Sequence, residues 1–257
     1  MGSLNQALRG LSWAASSRLA DQLEAGLELE VQPEGGGVRL ISVRCPDYPV
    51  ALRSLKQRPA GLWLRGSICP EDEMAVAVVG TRRPSSLGLR RTRRLAGLLA
   101  REGITVVSGL ARGVDTAAHA ASLAAGGRTL AVLGHGLMHC YPPENAGLME
   151  SVAASGAVLS QFSPEFAATR WSFPERNRLI AGLARVSVAI ECGPDSGSLI
   201  ELEWALRLGR LVALPESLVQ AQPWARAWAD SGKARVLRRE NEVLDLVGQS
   251  PAVGKTC

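Results

Sequence analysis

The chain predicts an α/β fold, a doubly wound and mainly parallel β-sheet with helices on both faces and a small N-terminal extension. Three observations carry this. Between Ala75 and Pro215, short apolar runs alternate about six times with stretches of helical periodicity, the pattern of successive βαβ units. The runs are dominated by Val, Ala, Leu and Ile, with Thr105 and Ser187 the polar residues inside them, as befits strands buried on both faces. Several of them stop at segments rich in Gly, Ser, Thr and Arg, and in a parallel sheet such loops open together on the ligand-binding edge.

Composition sets the outer limits. With 257 residues and 46% hydrophobic residues, the chain can fill a sizeable core, but at 4% aromatics the packing falls to Ala, Leu and Val. The net charge is +5, and of the 29 basic residues only Lys56, Lys233 and Lys255 are lysines. Arg grips phosphate with a planar fork and stacks on bases, so this balance suits a nucleic-acid partner. It equally suits an Ala/Leu/Arg-rich chain from a GC-rich genome. The five cysteines are scattered without a C-x-x-C, which argues against zinc and against a disulfide framework. His135 and His139 lack further ligands, so no metal is expected. No signal peptide and no bilayer-spanning apolar run is visible, so a cytoplasmic protein with no membrane partner is expected.

Residues 1–37 read as a helical arm or partial appendage. Patchy periodicity over Leu4–Leu29 is broken at Pro33 to Gly37. Residues 38–70 read as an extension of the sheet: a strand at Val38–Val43, a short helix at Ala51–Gln57 and a strand at Leu62–Arg65. The core, 71–220, begins with a strand at Ala75–Val79, a turn at Pro84–Gly88 and a helix over Leu89–Glu102. That helix puts Leu95, Leu98 and Leu99 on one face and Arg90, Arg93, Arg94 and Arg101 on a solvated one. A strand at Ile104–Val107 precedes a helix over Val114–Ala125, where Asp115 complements the helix dipole and lies one turn from His119, within reach of a structural hydrogen bond. Thr129–Leu133 is the third core strand. A shaped loop with two Gly and two Pro follows, then a helix at Glu144–Ser155 and a strand at Ala157–Ser160. An aromatic loop holding Phe162, Phe166, Trp171 and Phe173 leads into a helix that begins near Pro174. Strands at Val186–Ile190 and Leu211–Leu214 flank a helix over Leu199–Leu208. The tail, 221–257, suggests a strand at Val236–Leu237 and a helix over Val243–Val247, with no further domain.

The candidate site lies in the loops. Gly80-Thr81-Arg82-Arg83 follows the first core strand and Ser108-Gly109-Leu110-Ala111-Arg112-Gly113 the second. Small residues let a phosphate approach the backbone, helix N-termini offer free N–H groups, and Arg supplies charge. Arg176-Asn177-Arg178 places two cations at a helix start, against the dipole, where an anionic ligand explains them. Ser196-Gly197-Ser198 opens another helix and makes an anion cradle. Tyr141, Phe166 or Trp171 offers a ring on which a base can stack. Gly80 to Gly88 holds no G-x-G-x-x-G, and no G-x-x-x-x-G-K-[ST] P-loop is present, so NAD binding and P-loop ATP hydrolysis lose their best evidence and no cofactor is expected.

These segments resemble a known family. VGTRRPSSLG, SGLARGVDTAAH, LGHGLMHCYPPEN, FPERNRLIAGL and SGSL are similar, in order and near spacing over roughly residues 45–215, to the DNA-processing protein A family (DprA, also called Smf). The resemblance implies an extended Rossmann-like fold, single-stranded DNA bound in a basic pocket, homodimerisation, and delivery of RecA recombinase onto incoming DNA in natural transformation: a recombination mediator rather than an enzyme. It implies a pocket lined by Gly80, Thr81, Arg82, Ser108, Gly109, Arg112, Arg176, Asn177, Arg178, Ser196, Gly197 and Ser198.

The chain departs from the family at three places. Ile200 is followed by Glu201-Leu202-Glu203 where the family has Thr-Ala, Pro215 by Glu216 where it has Gly, and the tail is only loosely similar. The first departure supports an alternative. LOG-type nucleotide phosphoribohydrolases carry a catalytic Glu at the spacing of Glu201, and Arg178 could take the role of their separate Arg; a nucleotide-binding sensor without turnover would use the same two residues. A carboxylate beside a ribose stabilises oxocarbenium-like charge during N-glycosidic cleavage.

Overall fold

Short runs dominated by Val, Ala and Leu, fully buried, form the centre of the sheet. The computed structural model describes residues 3–9, 11–27 and 37–250. The expected helix end at Leu29, most of the break after it and residues 251–257 lie outside the described residues. The elements are α1 (Leu4–Leu8), α2 (Trp13–Glu24), β1 (Arg39–Ser42), α3 (Val50–Arg53), β2 (Gly61–Gly66), β3 (Val76–Val79), α4 (Ser86–Arg101), β4 (Val106–Ser108), α5 (Val114–Ala124), β5 (Thr129–Val132) and α6 (Ala146–Ser155). There follow β6 (Ala157–Ser160), α7 (Ser172–Leu183), β7 (Val186–Ala189), α8 (Gly197–Arg207), β8 (Leu211–Pro215), α9 (Glu216–Ala221), α10 (Pro223–Asp230), β9 (Arg235–Leu237) and α11 (Glu242–Gln249). Single 3₁₀ turns at Pro70–Met74 and Pro143–Asn145 precede β3 and α6.

The sheet has nine strands in the order β1-β2-β6-β5-β4-β3-β7-β8-β9. From β6 to β9 all neighbours are parallel; β1 pairs antiparallel with β2, and β2 antiparallel with β6. The fold class is therefore the expected one, and the strands of the N-terminal extension join the same sheet. Chain order runs outward from β3 through β4, β5 and β6 on one side, and through β7, β8 and β9 on the other. The reversal falls between β3 and β7, which pair from Val76↔Val186 to Val79↔Ala189. Helices on either side of such a reversal leave on opposite faces, so a crevice opens beyond the carboxyl ends of the two strands.

Strand alternation splits the core into two layers. Val76 and Val78 pack with Leu95, Leu99, Val114 and Ala118 of α4 and α5. Ala77 and Val79 belong to the other layer, with Leu179 and Ile180 of α7 and Leu202 and Ala205 of α8. Arg90, Arg93, Arg94 and Arg101 of α4 are exposed, as its periodicity predicts.

Three helices differ from their expected bounds for local reasons. α4 starts at Ser86 because the Ser85 hydroxyl accepts from the Gly88 N–H at 3.0 Å, an N-cap that apolar periodicity does not register. α8 starts at Gly197 because Ser196 caps it, accepting from the Ser198 N–H at 3.2 Å. The helix expected over Ala51–Gln57 is only Val50–Arg53. Beyond it the chain is tied to α2, where Ser17 Oγ accepts from Arg58 N–H at 3.3 Å and Ser16 Oγ from Ala60 N–H at 3.0 Å. α9 and α10 have no counterpart in the sequence reading, since each is too short to show a full period.

Candidate functional site

Beyond the carboxyl ends of β3 and β7 lies a cavity of about 510 Å³. Its walls are the β3–α4 loop (Gly80, Thr81, Arg82), the start of α5 with the loop before it (Ala111, Asp115), one side of α7 (Phe173, Pro174, Arg176, Asn177, Ile180) and the β7–α8 segment from Gly193 to Ser198, with Val79 and Glu201 completing the lining.

The loops are locked to one another. Thr81 N–H donates to Glu191 O at 2.7 Å, and the Ser198 hydroxyl donates to Gly80 O at 2.9 Å. The Glu191 carboxylate accepts from Ser85 N–H at 2.8 Å and from the Ser85 hydroxyl, which sets a negative charge against the N-terminus of α4. Gly88 makes room for it: a Cβ there would lie 2.5 Å from the Glu191 carboxyl carbon. Gly80 is likewise a close approach, where a Cβ would meet Val114 Cγ2 at 2.7 Å.

The loop after β4 is held from within. Leu110 has a left-handed φ of 57°, a conformation that costs an L-residue roughly 1–2 kcal/mol. Compensation comes from Asp115, whose carboxylate accepts from Gly109 N–H at 3.2 Å and Ala111 N–H at 3.3 Å, and from Asn145, whose amide donates to Leu110 O at 2.8 Å. Asp115 is buried, and that burial raises its pKa while the Arg176 charge opposes the rise. His119 lies one turn further on but turns away from Asp115. Its Nδ1 bonds Thr129 Oγ1 at 2.6 Å, and since the Thr129 hydroxyl donates to Val106 O, Nδ1 carries the proton. Burial pushes the His119 pKa down to about 3, so the ring is neutral. The pair expected at this spacing is thus replaced by two separate anchors.

Arg176 is the buried cation of the site. It donates from Nη1 to Gly109 O at 2.6 Å and to Val132 O, and from Nε to Asn177 Oδ1 at 3.2 Å. Gly109 is required for this: a Cβ there would stand 2.3 Å from Arg176 Nη1. Burial lowers the Arg176 pKa to about 10, against the opposing field of Asp115, and the group stays charged at neutral pH. Asn177 donates from Nδ2 to Gly197 O at 2.9 Å and so ties α7 to the first turn of α8.

The predicted residues divide into two sets. Gly80, Thr81, Arg82, Arg176, Asn177, Ser196, Gly197 and Ser198 line the cavity, and so does Glu201. Gly109 lies directly behind Arg176. Ser108 is fully buried and spends its hydroxyl on Val78 O at 2.7 Å. Arg83 is exposed beside the mouth, its N–H held by Thr81 Oγ1 at 3.1 Å. Arg112 is also exposed and pairs with Glu144, Nη2 to Oε2 at 3.1 Å. Tyr141 is exposed at the rim, 5.9 Å from the Phe173 ring.

Arg178 is placed elsewhere. Its guanidinium lies between the rings of Trp13 and Trp204, 4.3 and 4.4 Å from their centroids, and it donates to Gln57 Oε1 at 2.5 Å. The reason is helical geometry: two residues apart on an α-helix means about 200° of rotation, so Arg176 and Arg178 cannot share a face. The pocket expected from four basic loops therefore holds two arginines, Arg82 and Arg176, and three acids, Asp115, Asp195 and Glu201. Phe166 and Trp171 also lie outside the lining, packed on Phe162 with centroids 4.7 and 5.6 Å away.

Phe173 was the ring to find. Arg82 lies over it at 5.6 Å, and it stands three residues before Arg176 and seven before Ile180, on the helix row that faces the cavity. That spacing is the signal by which the sequence marks it.

The chain resembles known proteins in sequence and fold. The chain is 40% identical over 212 residues to Protein Smf of Synechocystis, a match covering 80% of this chain and 53% of that protein. The solved structure of DNA processing protein A from Streptococcus pneumoniae superposes with a TM-score of 0.72 at 34% identity, covering 80% of this chain and 73% of that one. A structure described as showing the single-stranded DNA binding mode of DNA processing protein A from Helicobacter pylori superposes with a TM-score of 0.73 at 24% identity, covering 84% and 97%, a likeness of fold. The chain spans 53% to 63% of the length of the first four curated relatives it matches. The sequence profile described as DNA recombination-mediator protein A matches residues 39–248, and the chain belongs to that family.

Proposed function

We propose that the crevice between β3 and β7 holds nucleotides of single-stranded DNA, and that the protein acts as a DNA-binding recombination mediator. The observation that carries this is the make-up of the cavity: an exposed Arg82 stacked on Phe173 at the mouth, beside the N-terminus of α8. A phosphate finds a cation and a helix end there, and a base finds a ring, which together give sequence-tolerant, salt-sensitive binding. Arg83 and Arg112, exposed and next in sequence to the lining residues Arg82 and Ala111, extend the charge, and Arg112 can exchange Glu144 for a phosphate because that pair is open to solvent. Family membership and the single-stranded DNA binding described for the H. pylori protein support the same reading.

The proposal includes action in the cytoplasm as a homodimer that hands incoming DNA to RecA during natural transformation. No helix among the described residues is long and apolar enough to cross a membrane, and none of them form a cluster of metal-ligating side chains.

Nucleotide hydrolysis is the weaker reading. It asks for an ionised Glu201 beside Arg178, whereas Arg178 is committed to the two tryptophans and burial keeps Glu201 protonated up to a pH of about 8.

The test is a binding titration of single-stranded oligonucleotides against salt. Affinity is expected to fall steeply with salt, and Arg82→Ala to weaken binding about tenfold and shallow the salt slope by about 1 without lowering thermal stability. RecA filament formation on the bound oligonucleotide, followed in the same samples, tests the hand-over. Absence of oligonucleotide binding at low salt overturns the proposal.

A further inference from the structure

Of the three acids in the cavity, Asp115 ties its own loop and Asp195 is exposed to water, whereas Glu201 is a buried acid that DNA binding leaves unexplained, since an anion does not belong where phosphates enter. It is 1% exposed and sits in the second turn of α8. Its Oε1 accepts the Ser187 hydroxyl at 2.7 Å, while Oε2 is buried with no partner. An unpartnered carboxylate oxygen shut away from water is strongly disfavoured, and the same atom carrying a proton becomes a donor awaiting an acceptor.

The groups facing Glu201 do little to ionise it. β7 offers only the Ser187 hydroxyl. α5 contributes Asp115, whose charge opposes a second anion, and the β7–α8 loop contributes the Cys192 thiol, itself pushed up by burial. β8 presents buried apolar side chains. α7 contributes Arg176, which favours ionisation but is engaged by the carbonyls of Gly109 and Val132. Arg82 of the β3–α4 loop remains at the mouth, over Phe173. Burial dominates and holds the Glu201 pKa up at about 8.

We infer that Glu201 serves the pocket as a neutral hydrogen-bond donor, presenting its Oε2 proton to an acceptor oxygen of the bound nucleotide, so that ionisation of Glu201 releases the ligand. This rests on the nucleotide-binding reading above. A protonated Glu201 leaves the two arginines facing two acids instead of three. The acceptor is either a phosphate oxygen or a base carbonyl; thymine carries carbonyls and adenine none.

The experiment is fluorescence anisotropy with short oligo-dT and oligo-dA at constant ionic strength, from pH 6.5 to 9, on the wild-type chain, Glu201→Gln and Glu201→Ala. The glutamine keeps a donor at the same place and never ionises. The wild-type Kd is expected to rise about tenfold between pH 7 and 9, as the competent fraction falls. Glu201→Gln is expected to bind with a flat profile, and Glu201→Ala weakly throughout. A pH response with oligo-dT alone assigns the acceptor to the base, and one shared by oligo-dT, oligo-dA and a base-free deoxyribose phosphate oligomer assigns it to the phosphate. A flat wild-type profile, an unchanged slope in Glu201→Gln, or Glu201→Gln binding no better than Glu201→Ala overturns the inference. If Glu201→Gln does not fold, the infrared carboxyl band of the wild type decides: it must be present at pH 7, shift when oligonucleotide binds, and vanish by pH 9. Absence of wild-type binding at pH 6.5 overturns the DNA-binding reading instead.

Discussion

Arg178→Ala separates what the chain uses for binding from what it uses for folding. The side chain is 9% exposed and its guanidinium stacks on Trp13 of α2 and Trp204 of α8. Each desolvated cation–π contact contributes about 1–2 kcal/mol, and the charged hydrogen bond to Gln57 about 1.5 kcal/mol. Burial disfavours the charge and lowers its pKa, which offsets part of that sum. A net loss of about 2–4 kcal/mol follows, and for a chain of this length it lowers Tm by about 5–12 °C. The loss falls on the seam where α2 docks on the core, since Arg178 joins helices that are distant in sequence. The assay is a thermal melt and an oligonucleotide titration on Arg178→Ala and Arg82→Ala in parallel. Arg178→Ala is expected to melt early and, below its melting transition, to bind within about twofold of wild type; Arg82→Ala, altered at an exposed loop, is expected to do the reverse. If Arg178→Ala melts like the wild type and binds as poorly as Arg82→Ala, the placement of Arg178 away from the DNA is refuted.

Three further expectations concern the frame around the site. Gly109→Ala drives a methyl group into the buried Arg176 guanidinium and breaks its bonds to two carbonyls; a destabilisation of about 2–4 kcal/mol in a urea titration, together with weakened oligonucleotide binding, is expected. Asp72 accepts from Thr105 and Cys69 and, from two nitrogens, Arg128, so Asp72→Ala is expected to cost about 3 kcal/mol while leaving the affinity of the folded protein unchanged. His119, with its folded pKa lowered to about 3, contributes stability that is complete above its unfolded value of about 6.5 and is lost as pH falls through the folded one; chemical denaturation from pH 7 to 4 is expected to show this loss, with a shallower slope in His119→Gln.

Much of this protein is written in local pattern. The parallel core follows from apolar runs of four residues separated by helix-length intervals, because periodicity and strand length are properties of neighbouring residues. The positions of the three Gly/Ser loops follow as well, since a parallel sheet sends every loop after a strand to one edge. The capping serines Ser85 and Ser196 moved helix starts by two or three residues, an effect of single hydrogen bonds that apolar periodicity does not register. Only the tertiary structure decided what each polar group of the site does. Arg176 and Arg178 are near neighbours in the chain, yet one faces the crevice and the other lies between Trp13 and Trp204, because a helix turns by about 200° between them. Glu201 reads as an anion in the sequence. It becomes a neutral donor once β7, α5 and α7 close over it, because the ionisation of a carboxyl depends on the water and charge that distant segments remove or supply.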